Sequence, residues 1–320
     1  MTPPVVFFMI PFFVSALTVV SVSKRNMKAG IVGRDVNKLD GRMLPEGAGI
    51  AMLAPLWTAI FLFNALLYFE LGTIALGLAV SGLCLVGFLD DRKQKFKGKT
   101  ISWRKRASII GLICLIFAYM YAPSPVWIIP FTFFIAGLAS FENTFAGLNG
   151  WEIGSGLIIS CFAAFILANS WVFPIALALV GAIAGLFLYN AFPARVLPGD
   201  SGTLLIGSSI AGLVILSQRI ELAFLAALFF VPHAIDFFGL KLLTNPHDVS
   251  QSGKMPYAVL DDGRLSIPKN GNKRPCYDFA KMLLKIFGPM PEWLVVAVIW
   301  VAVAANCIFW ILAFQYLQVI

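Results

Sequence analysis

The sequence predicts an all-α polytopic membrane protein, and three observations lead to this fold class. Of its 320 residues, 59% are hydrophobic and only 12% are charged, whereas soluble domains carry about 25% charged residues. The charged residues lie in short segments between long apolar runs, which is the pattern of membrane-spanning helices. Helices are favoured over open strands because backbone polar groups in hydrocarbon must pair within their own segment.

The apolar runs approach the roughly 20 residues that a helical span requires, and they predict about ten transmembrane helices. The predicted spans are 4–23, 48–68, 72–89, 107–121, 126–141, 154–170, 173–190, 203–217, 222–243 and 293–316. With an even number of spans, 23 of the 24 Lys and Arg residues fall on one face, and only Arg219 falls on the other. The positive-inside rule then makes the basic face cytoplasmic and puts both termini outside.

The net charge of +8 is interpreted as the retention of basic loops on the cytoplasmic side rather than as a nucleic-acid surface. The five cysteines show no metal or disulfide spacing. The outer loops are only a few residues long, so function is expected in the membrane or in the cytoplasmic loops. We interpret residues 1–320 as a single membrane domain with a cytoplasmic loop insertion at about 244–281.

The first two cytoplasmic loops combine helix-breaking residues with isolated charges. The first contains GRDVNK (33–38) and LPEGAGI (44–50), which suit either a structured turn or a solvated basic linker. The second begins with Asp90 and Asp91 and continues to the basic ISWRKRA (101–107). Adjacent carboxylates at a membrane interface are costly unless they bind cations or water. A charged helix end beside basic neighbours is the alternative interpretation.

The third and fourth loops carry amide and carboxylate side chains among glycines. Asn143 and Asn149 flank a turn that contains Gly147, where a backbone can approach a ligand closely. Asp200 lies in a Gly-Asp-Ser-Gly sequence directly before an apolar helix. A carboxylate there can cap the helix, and the exposed amides at a helix start can hold a phosphate.

The fifth loop contains an Asp-Gly turn signal, which predicts a small hairpin between Tyr257 and Ile267. In the ninth span, His233 and Asp236 are three residues apart and therefore share one side of the helix. Two ligands are too few for a metal site, so a polar or helix-packing role is favoured.

Together the first four cytoplasmic loops indicate phosphoryl chemistry with a divalent cation. Mg²⁺ prefers oxygen ligands, takes one or two of them from protein, and leaves the remainder to phosphates and water. The expected cofactor is Mg²⁺, with Mn²⁺ as a substitute. The sequence offers no Ser-His triad, zinc site or Walker loop.

Five motifs, in order along the chain, resemble those of the polyprenyl-phosphate N-acetylhexosamine-1-phosphate transferases. The chain is most similar to the eukaryotic and archaeal UDP-GlcNAc:dolichyl-phosphate GlcNAc-1-phosphate transferases of that family. The matching stretches are GRDVNK with LPEGAGI, GFLDD with ISWRKRA, NTFAGLNGWEIG, NAFPARVLPGDSGTLLIG and, more weakly, KMPYAVLDDGRLSI.

The resemblance implies a role for each matching position. Asn143 and Asp200 correspond to the magnesium ligands. Asp90 and Asp91 correspond to the paired aspartates, which act either as a base or as organisers of the site. The remaining positions contact substrate: Arg106 (or Lys105, one register away) the phosphate, Lys254 the sugar diphosphate, Asn149 the uracil, and Glu46 and Glu152 the nucleotide.

The implied reaction transfers GlcNAc-1-phosphate from UDP-GlcNAc to dolichyl or another polyprenyl phosphate, as the first membrane step of lipid-linked oligosaccharide synthesis for N-glycosylation. The implied location is the cell membrane of an archaeon or the endoplasmic reticulum of a eukaryote. Leu197 stands where an aromatic residue is common, and the three consecutive histidines of the muramyl-pentapeptide enzymes are absent. The alternative functions are transfer from a different UDP-HexNAc and transport of nucleotide-sugars or anionic lipids. The chain can also form a homodimer in this interpretation.

Overall fold

The computed structural model describes residues 4–98, 100–244, 257–268 and 276–318, and they are mainly helical. The helices are α1 (Pro4–Lys28), α2 (Leu53–Leu66), α3 (Leu71–Lys97), α4 (Trp103–Tyr121), α5 (Ile128–Thr144), α6 (Trp151–Ile166), α7 (Phe173–Asn190), α8 (Gly199–Leu216), α9 (Ile220–Phe229), α10 (Val231–Ala234), α11 (Phe279–Phe287) and α12 (Glu292–Tyr316). The strands are β1 (Val32–Arg34), β2 (Met43–Pro45), β3 (Ala258–Val259) and β4 (Leu265–Ser266). A 3₁₀ segment, Ala48–Met52, leads into α2, and a π-helical segment, Ile235–Leu242, continues α10.

The predicted class of helical membrane protein is confirmed. Within the described part of the chain, seven helices are long and apolar enough to cross a membrane, and a bent pair makes an eighth if it counts as one span. At the other two predicted spans, α4 begins with the basic residues Arg104–Arg106 and α6 has only 16 residues. Ten spans, the side of each loop and the position of the termini therefore stay predictions.

The ninth span was expected to be one continuous helix, and this expectation is wrong. α9 meets the next segment, Val231–Leu242, at an angle of 51°. That segment consists of α10 and the π-helical segment that continues it. Pro232 lies in the first turn after the break. Proline cannot donate a backbone hydrogen bond to the preceding turn, so a bend there is expected.

The core of the bundle is α8, which is buried along almost its whole length between α3 and α5. Close approach depends on glycine at two points near the start of α8. A Cβ on Gly87 of α3 would lie 2.6 Å from the Asp200 carbonyl carbon, and a Cβ on Gly49 would overlap the Gly202 backbone. These glycines let α3 and the first loop reach the first turn of α8.

Replacing Gly87 by Ala is expected to lower the apparent unfolding temperature, because the new methyl group must push the start of α8 away from α3. Overpacking of this kind costs about 1–3 kcal/mol. The measurement is thermal unfolding in detergent, with Gly111→Ala of α4 as the matched control. A Cβ on Gly111 meets nothing within 4 Å. Equal unfolding temperatures for the two variants would contradict the close approach.

The first loop is structured rather than a solvated linker. β1 and β2 pair antiparallel with Val32 opposite Pro45. Backbone hydrogen bonds then tie this hairpin to the fourth loop: Leu197 N–H donates to Pro45 O at 2.8 Å, and Gly49 N–H donates to Pro198 O at 2.9 Å. The first and fourth motif regions are therefore fixed against one another.

The hairpin predicted between Tyr257 and Ile267 is confirmed. β3 and β4 pair antiparallel with Ala258 opposite Ser266, and Gly263 in the turn has a φ of +80°. The Leu265 N–H donates to the Met290 carbonyl at 2.8 Å. That bond holds the hairpin against the segment that leads into α12.

Candidate active site

Four helix ends bring the predicted reactive residues together. Asp90 and Asp91 lie in the last third of α3, and Arg106 lies in the first turns of α4. Asn143 is in the last turn of α5, and Asp200 is in the first turn of α8. Residues from three predicted loops therefore meet at one end of the bundle, as the sequence predicts.

Arg106 is the centre of this cluster. Its Nη1 lies 2.9 Å from Asp90 Oδ2 and 2.5 Å from Asp200 Oδ2. Lys105, the alternative register, is exposed to solvent. The structure thus places Arg106 at the carboxylates, and the planar guanidinium can bridge them in a way that a lysine cannot.

Asn143 and Asp200 are neighbours, which the magnesium prediction requires. With its amide nitrogen towards Asp200, Asn143 donates to Oδ1 at 3.1 Å and accepts from Arg106 Nη2 at 3.0 Å. The same nitrogen lies 2.6 Å from Thr203 Oγ1. The Asp200 side chain is 30% exposed, so its carboxylate is open to a ligand.

Asp91, not Asp200, caps α8. The Asp200 N–H donates to Asp91 Oδ2 at 3.1 Å, while the residue before the helix, Pro198, offers no side-chain cap. The interpretation of Asp200 as a cap is therefore wrong. Because a residue of α3 satisfies the free N–H at the start of α8, the Asp200 carboxylate is not needed as a cap, and it pairs with Arg106 instead.

Asp90 is held on both oxygens. One oxygen pairs with Arg106, and the other accepts the backbone N–H of Ile101. Asp90 therefore ties the end of α3 to the residues that enter α4, and this contact positions Arg106.

Glu46 and Glu152 are further acidic residues near this cluster. The half-buried Glu46 interacts electrostatically with Asp91. Glu152, in the first turn of α6, interacts with Asp200 and with the buried Glu142. Among the described residues, carboxyl groups therefore outnumber the cationic side chains Arg106 and Lys241 at the candidate site.

The donor set suits a magnesium ion. No group of three or more His, Cys, Asp and Glu side chains in the described ranges is arranged to hold a metal. Mg²⁺ needs only one or two protein oxygens when phosphates supply others. The Asp200 carboxylate and the Asn143 carbonyl oxygen, which both pair with Arg106, are oxygens of that kind.

Asn149 lies in a network of hydrogen bonds and ion pairs that the sequence motifs indicate only in part. Its backbone N–H donates to Glu292 Oε1 at 2.8 Å, and its side-chain nitrogen donates to Asp35 Oδ2 at 3.1 Å. Lys38 Nζ forms an ion pair with Glu292 and lies 3.7 Å from Asp35 Oδ1. Asp35 and Lys38 belong to GRDVNK, but Glu292 begins an apolar helix and no motif marks it.

The fifth loop reaches the same end of the bundle. Lys254 lies outside the described residues, so its role stays a prediction. Tyr257 is buried and donates to Asp278 Oδ2 at 3.0 Å. Burial, together with Asp278, raises the pKa of the Tyr257 hydroxyl well above its ordinary value, so the hydroxyl remains a donor at neutral pH.

His233 and Asp236 each lie against an oppositely charged or hydrogen-bonding side chain. His233 Nε2 lies 3.2 Å from Glu142 Oε2, and its ring packs against Phe145 with centroids 4.0 Å apart. Asp236 pairs with Lys241 at 2.6 Å and accepts the Phe279 N–H at 2.7 Å. These contacts hold the bent helix and α11 against the end of α5.

Comparisons with known proteins identify relatives of this chain. A model described as glycosyl transferase family 4 matches residues 73–218, which include Asp90, Arg106, Asn143 and Asp200. A protein of Methanocaldococcus jannaschii, provisionally named a glycosyltransferase, is 30% identical over 84% of this chain and 83% of its own length.

Two further relatives carry more specific names. A Saccharolobus solfataricus protein, provisionally named a UDP-N-acetylglucosamine–dolichyl-phosphate N-acetylglucosaminephosphotransferase, is 29% identical over 91% of each chain. A phospho-N-acetylmuramoyl-pentapeptide-transferase of Carboxydothermus hydrogenoformans is 28% identical over 58% of this chain and 66% of its own. The chain belongs to glycosyl transferase family 4.

Proposed function

We propose that this membrane protein transfers GlcNAc-1-phosphate from UDP-GlcNAc to dolichyl or another polyprenyl phosphate and releases UMP. The observation that carries the proposal is the Arg106 bridge between Asp90 and Asp200, with Asn143 beside it, at one end of an apolar bundle. Such a site can gather anionic phosphates next to hydrocarbon. The name of the Saccharolobus relative supports the same donor and acceptor.

In the proposed reaction, an oxygen of the lipid phosphate attacks the β-phosphorus of UDP-GlcNAc. The bond from that phosphorus to the bridging oxygen breaks, and UMP leaves with the bonding electrons. A phosphomonoester has a second pKa of about 6, so the acceptor is largely ionised at neutral pH without a strong protein base. The protein's contribution is then the placement of groups and the stabilisation of charge.

Arg106 is suited to hold a phosphate because it already binds two carboxylate oxygens through Nη1 and the Asn143 amide oxygen through Nη2. Asp91 keeps the first turn of α8 in place, and Asp90 keeps Arg106 in place. Asn143 and Asp200 would hold Mg²⁺, or Mn²⁺ in its place, which supplies positive charge to the diphosphate and the leaving UMP.

The membrane fold explains how one site serves a soluble donor and a lipid acceptor. The polyprenyl chain stays in the bilayer while its phosphate reaches the charged helix ends. We place this site on the cytoplasmic face, because its loops lie on the predicted face that holds 23 of the 24 Lys and Arg residues.

The choice of GlcNAc over a muramyl peptide rests on two observations. The chain has only two histidines, so it has no run of three. The Saccharolobus relative also matches over 91% of both chains, whereas the muramyl-pentapeptide enzyme matches over 58% of this one.

The proposal is tested with purified protein in detergent, dolichyl phosphate and UDP-GlcNAc that carries label in the sugar. Label is expected in the lipid extract, with one UMP released for each lipid product. Chelation of divalent cations is expected to lower the rate about 100-fold or more, and added Mg²⁺ or Mn²⁺ should restore it.

UDP-GalNAc in a parallel reaction decides the sugar. Faster transfer from UDP-GalNAc would replace GlcNAc by another HexNAc and keep the reaction class. Uptake of UDP-GlcNAc into vesicles without lipid-linked product would instead favour a transporter and overturn the proposal.

A further inference from the structure

A buried ionic network controls the orientation of the Asn149 side chain. Its amide nitrogen donates to Asp35, and its backbone N–H donates to Glu292. Both carboxylates are only 4% exposed. Asn149 is thus held from two sides by groups that can only accept hydrogen bonds when ionised.

Two cationic side chains flank the Asp35 carboxyl group. Lys38 Nζ lies 3.7 Å from Oδ1, and Arg42 Nη2 lies 3.5 Å from Oδ2. A carboxylate accepts but does not donate, so only the NH₂ end of Asn149 can face it. The carbonyl oxygen of Asn149 must then point away from Asp35.

That carbonyl oxygen is free to accept from a ligand. Across the described ranges, no donor forms a hydrogen bond with it, and it is not among the fully buried polar atoms. Asn149 is also three residues before Glu152, which interacts with Asp200. A ligand group bound at this oxygen would therefore lie beside the start of α6, the helix that carries Glu152.

We propose that Asp35 is a positioning residue that makes the site select uracil over cytosine, by locking the Asn149 carbonyl outward. This inference rests on the proposed function and on the expectation, implied by the family resemblance, that Asn149 contacts the uracil of the nucleotide-sugar. Uracil carries a hydrogen on N3 and can donate to a carbonyl. Cytosine has a lone pair at N3, which would face the same oxygen without a hydrogen between them.

The contacts that orient Asn149 involve the GRDVNK loop as a whole. Asn37 donates to the Gly147 carbonyl at 3.0 Å, and Lys38 lies over the Phe192 ring at 5.0 Å from its centre. The first loop therefore holds the third and fourth loops together around Asn149. An amide that could rotate freely would offer its NH₂ to cytosine N3, and discrimination would be lost.

The test compares inhibition of transfer by UMP and by CMP in wild type and Asp35→Asn, using the full chain in detergent. The neutral amide at position 35 can donate as well as accept, so Asn149 can then turn either way. The CMP-to-UMP ratio of inhibition constants is expected to fall about tenfold. The KM for UDP-GlcNAc should rise, while kcat stays within about threefold.

Asp40→Asn is the matched control, because Asp40 is exposed in the same loop and contacts only the Arg42 backbone N–H, at 3.4 Å, among the described residues. Its inhibition ratio should equal that of wild type. In an Asn149→Ala background, Asp35→Asn should change the ratio no further. A loss of folding would weaken both nucleotides equally, so a melting curve with each nucleotide separates that case.

An unchanged ratio in Asp35→Asn would overturn this inference, and for an inactive variant the ratio is taken from thermal stabilisation by UMP and by CMP. A further fall of the ratio in the Asn149→Ala background would overturn it as well. If wild type fails to transfer GlcNAc-1-phosphate, the proposed function fails. The stabilisation of the protein by UMP and by CMP, measured from unfolding temperatures, still decides the role of Asp35.

Discussion

Replacing Asp200 by Asn is expected to lower the transfer rate about 1,000-fold while leaving the fold intact. The carboxylate lies 2.5 Å from Arg106 and beside Asn143, and at 30% exposed it is more accessible than Asp90 at 6%. An amide keeps the shape but removes the charge that would hold a divalent cation. Loss of one such electrostatic contact commonly costs about 100- to 1,000-fold. The measurement is the formation of lipid-linked label in detergent.

Asp262→Asn is the control for this change. Asp262 lies in the exposed hairpin turn and pairs with Arg264 at 2.6 Å, so its loss should leave the rate unchanged. Asp200→Asn should also require a higher Mg²⁺ concentration for its remaining activity. Near-normal transfer at the same Mg²⁺ concentration would remove Asp200 from the metal site.

Replacing Arg106 by Lys is expected to lower the rate about 100-fold, although the charge is conserved. Arg106 reaches Asp90, Asp200 and Asn143 from one planar group. The single ammonium of lysine cannot meet these three partners at once or bind a phosphate with two parallel bonds. The measurement is kcat and KM for UDP-GlcNAc.

Lys105→Ala tests the neighbouring register. Lys105 is exposed and next to Arg106 in sequence, so its removal should change kcat less than threefold. A larger loss in Lys105→Ala than in Arg106→Lys would contradict the assignment of Arg106 to the reaction centre.

Much of the candidate site could be predicted from the sequence because chemistry-bearing residues stand out in an apolar chain. Asp90, Asp91, Asn143 and Asp200 interrupt or end hydrophobic runs, where charge is costly unless it has a purpose. Their order and spacing in the motifs predicted that they meet. The structure brings these four together with Arg106.

Other features could not be predicted, because they depend on contacts between distant segments. Asp91 caps a helix 109 positions away in the chain, so local capping signals pointed to Asp200 instead. Glu292 holds Asn149 across 143 positions, and no local pattern distinguishes it from an ordinary charge at a helix start. The bend at Pro232 was hidden within an apolar run that is long enough for one span.

The sequence by itself determined that this chain is a helical membrane protein, and it predicted which residues carry the chemistry. Both follow from the cost of polar groups in hydrocarbon, which is visible residue by residue. Only the tertiary structure decided which oxygen or nitrogen each residue presents, because a hydrogen-bond partner from a distant helix sets that orientation. The structure decided in this way that Arg106, rather than Lys105, faces the carboxylates. It also decided that Asp91 caps α8 and that Asp35 orients the Asn149 side chain.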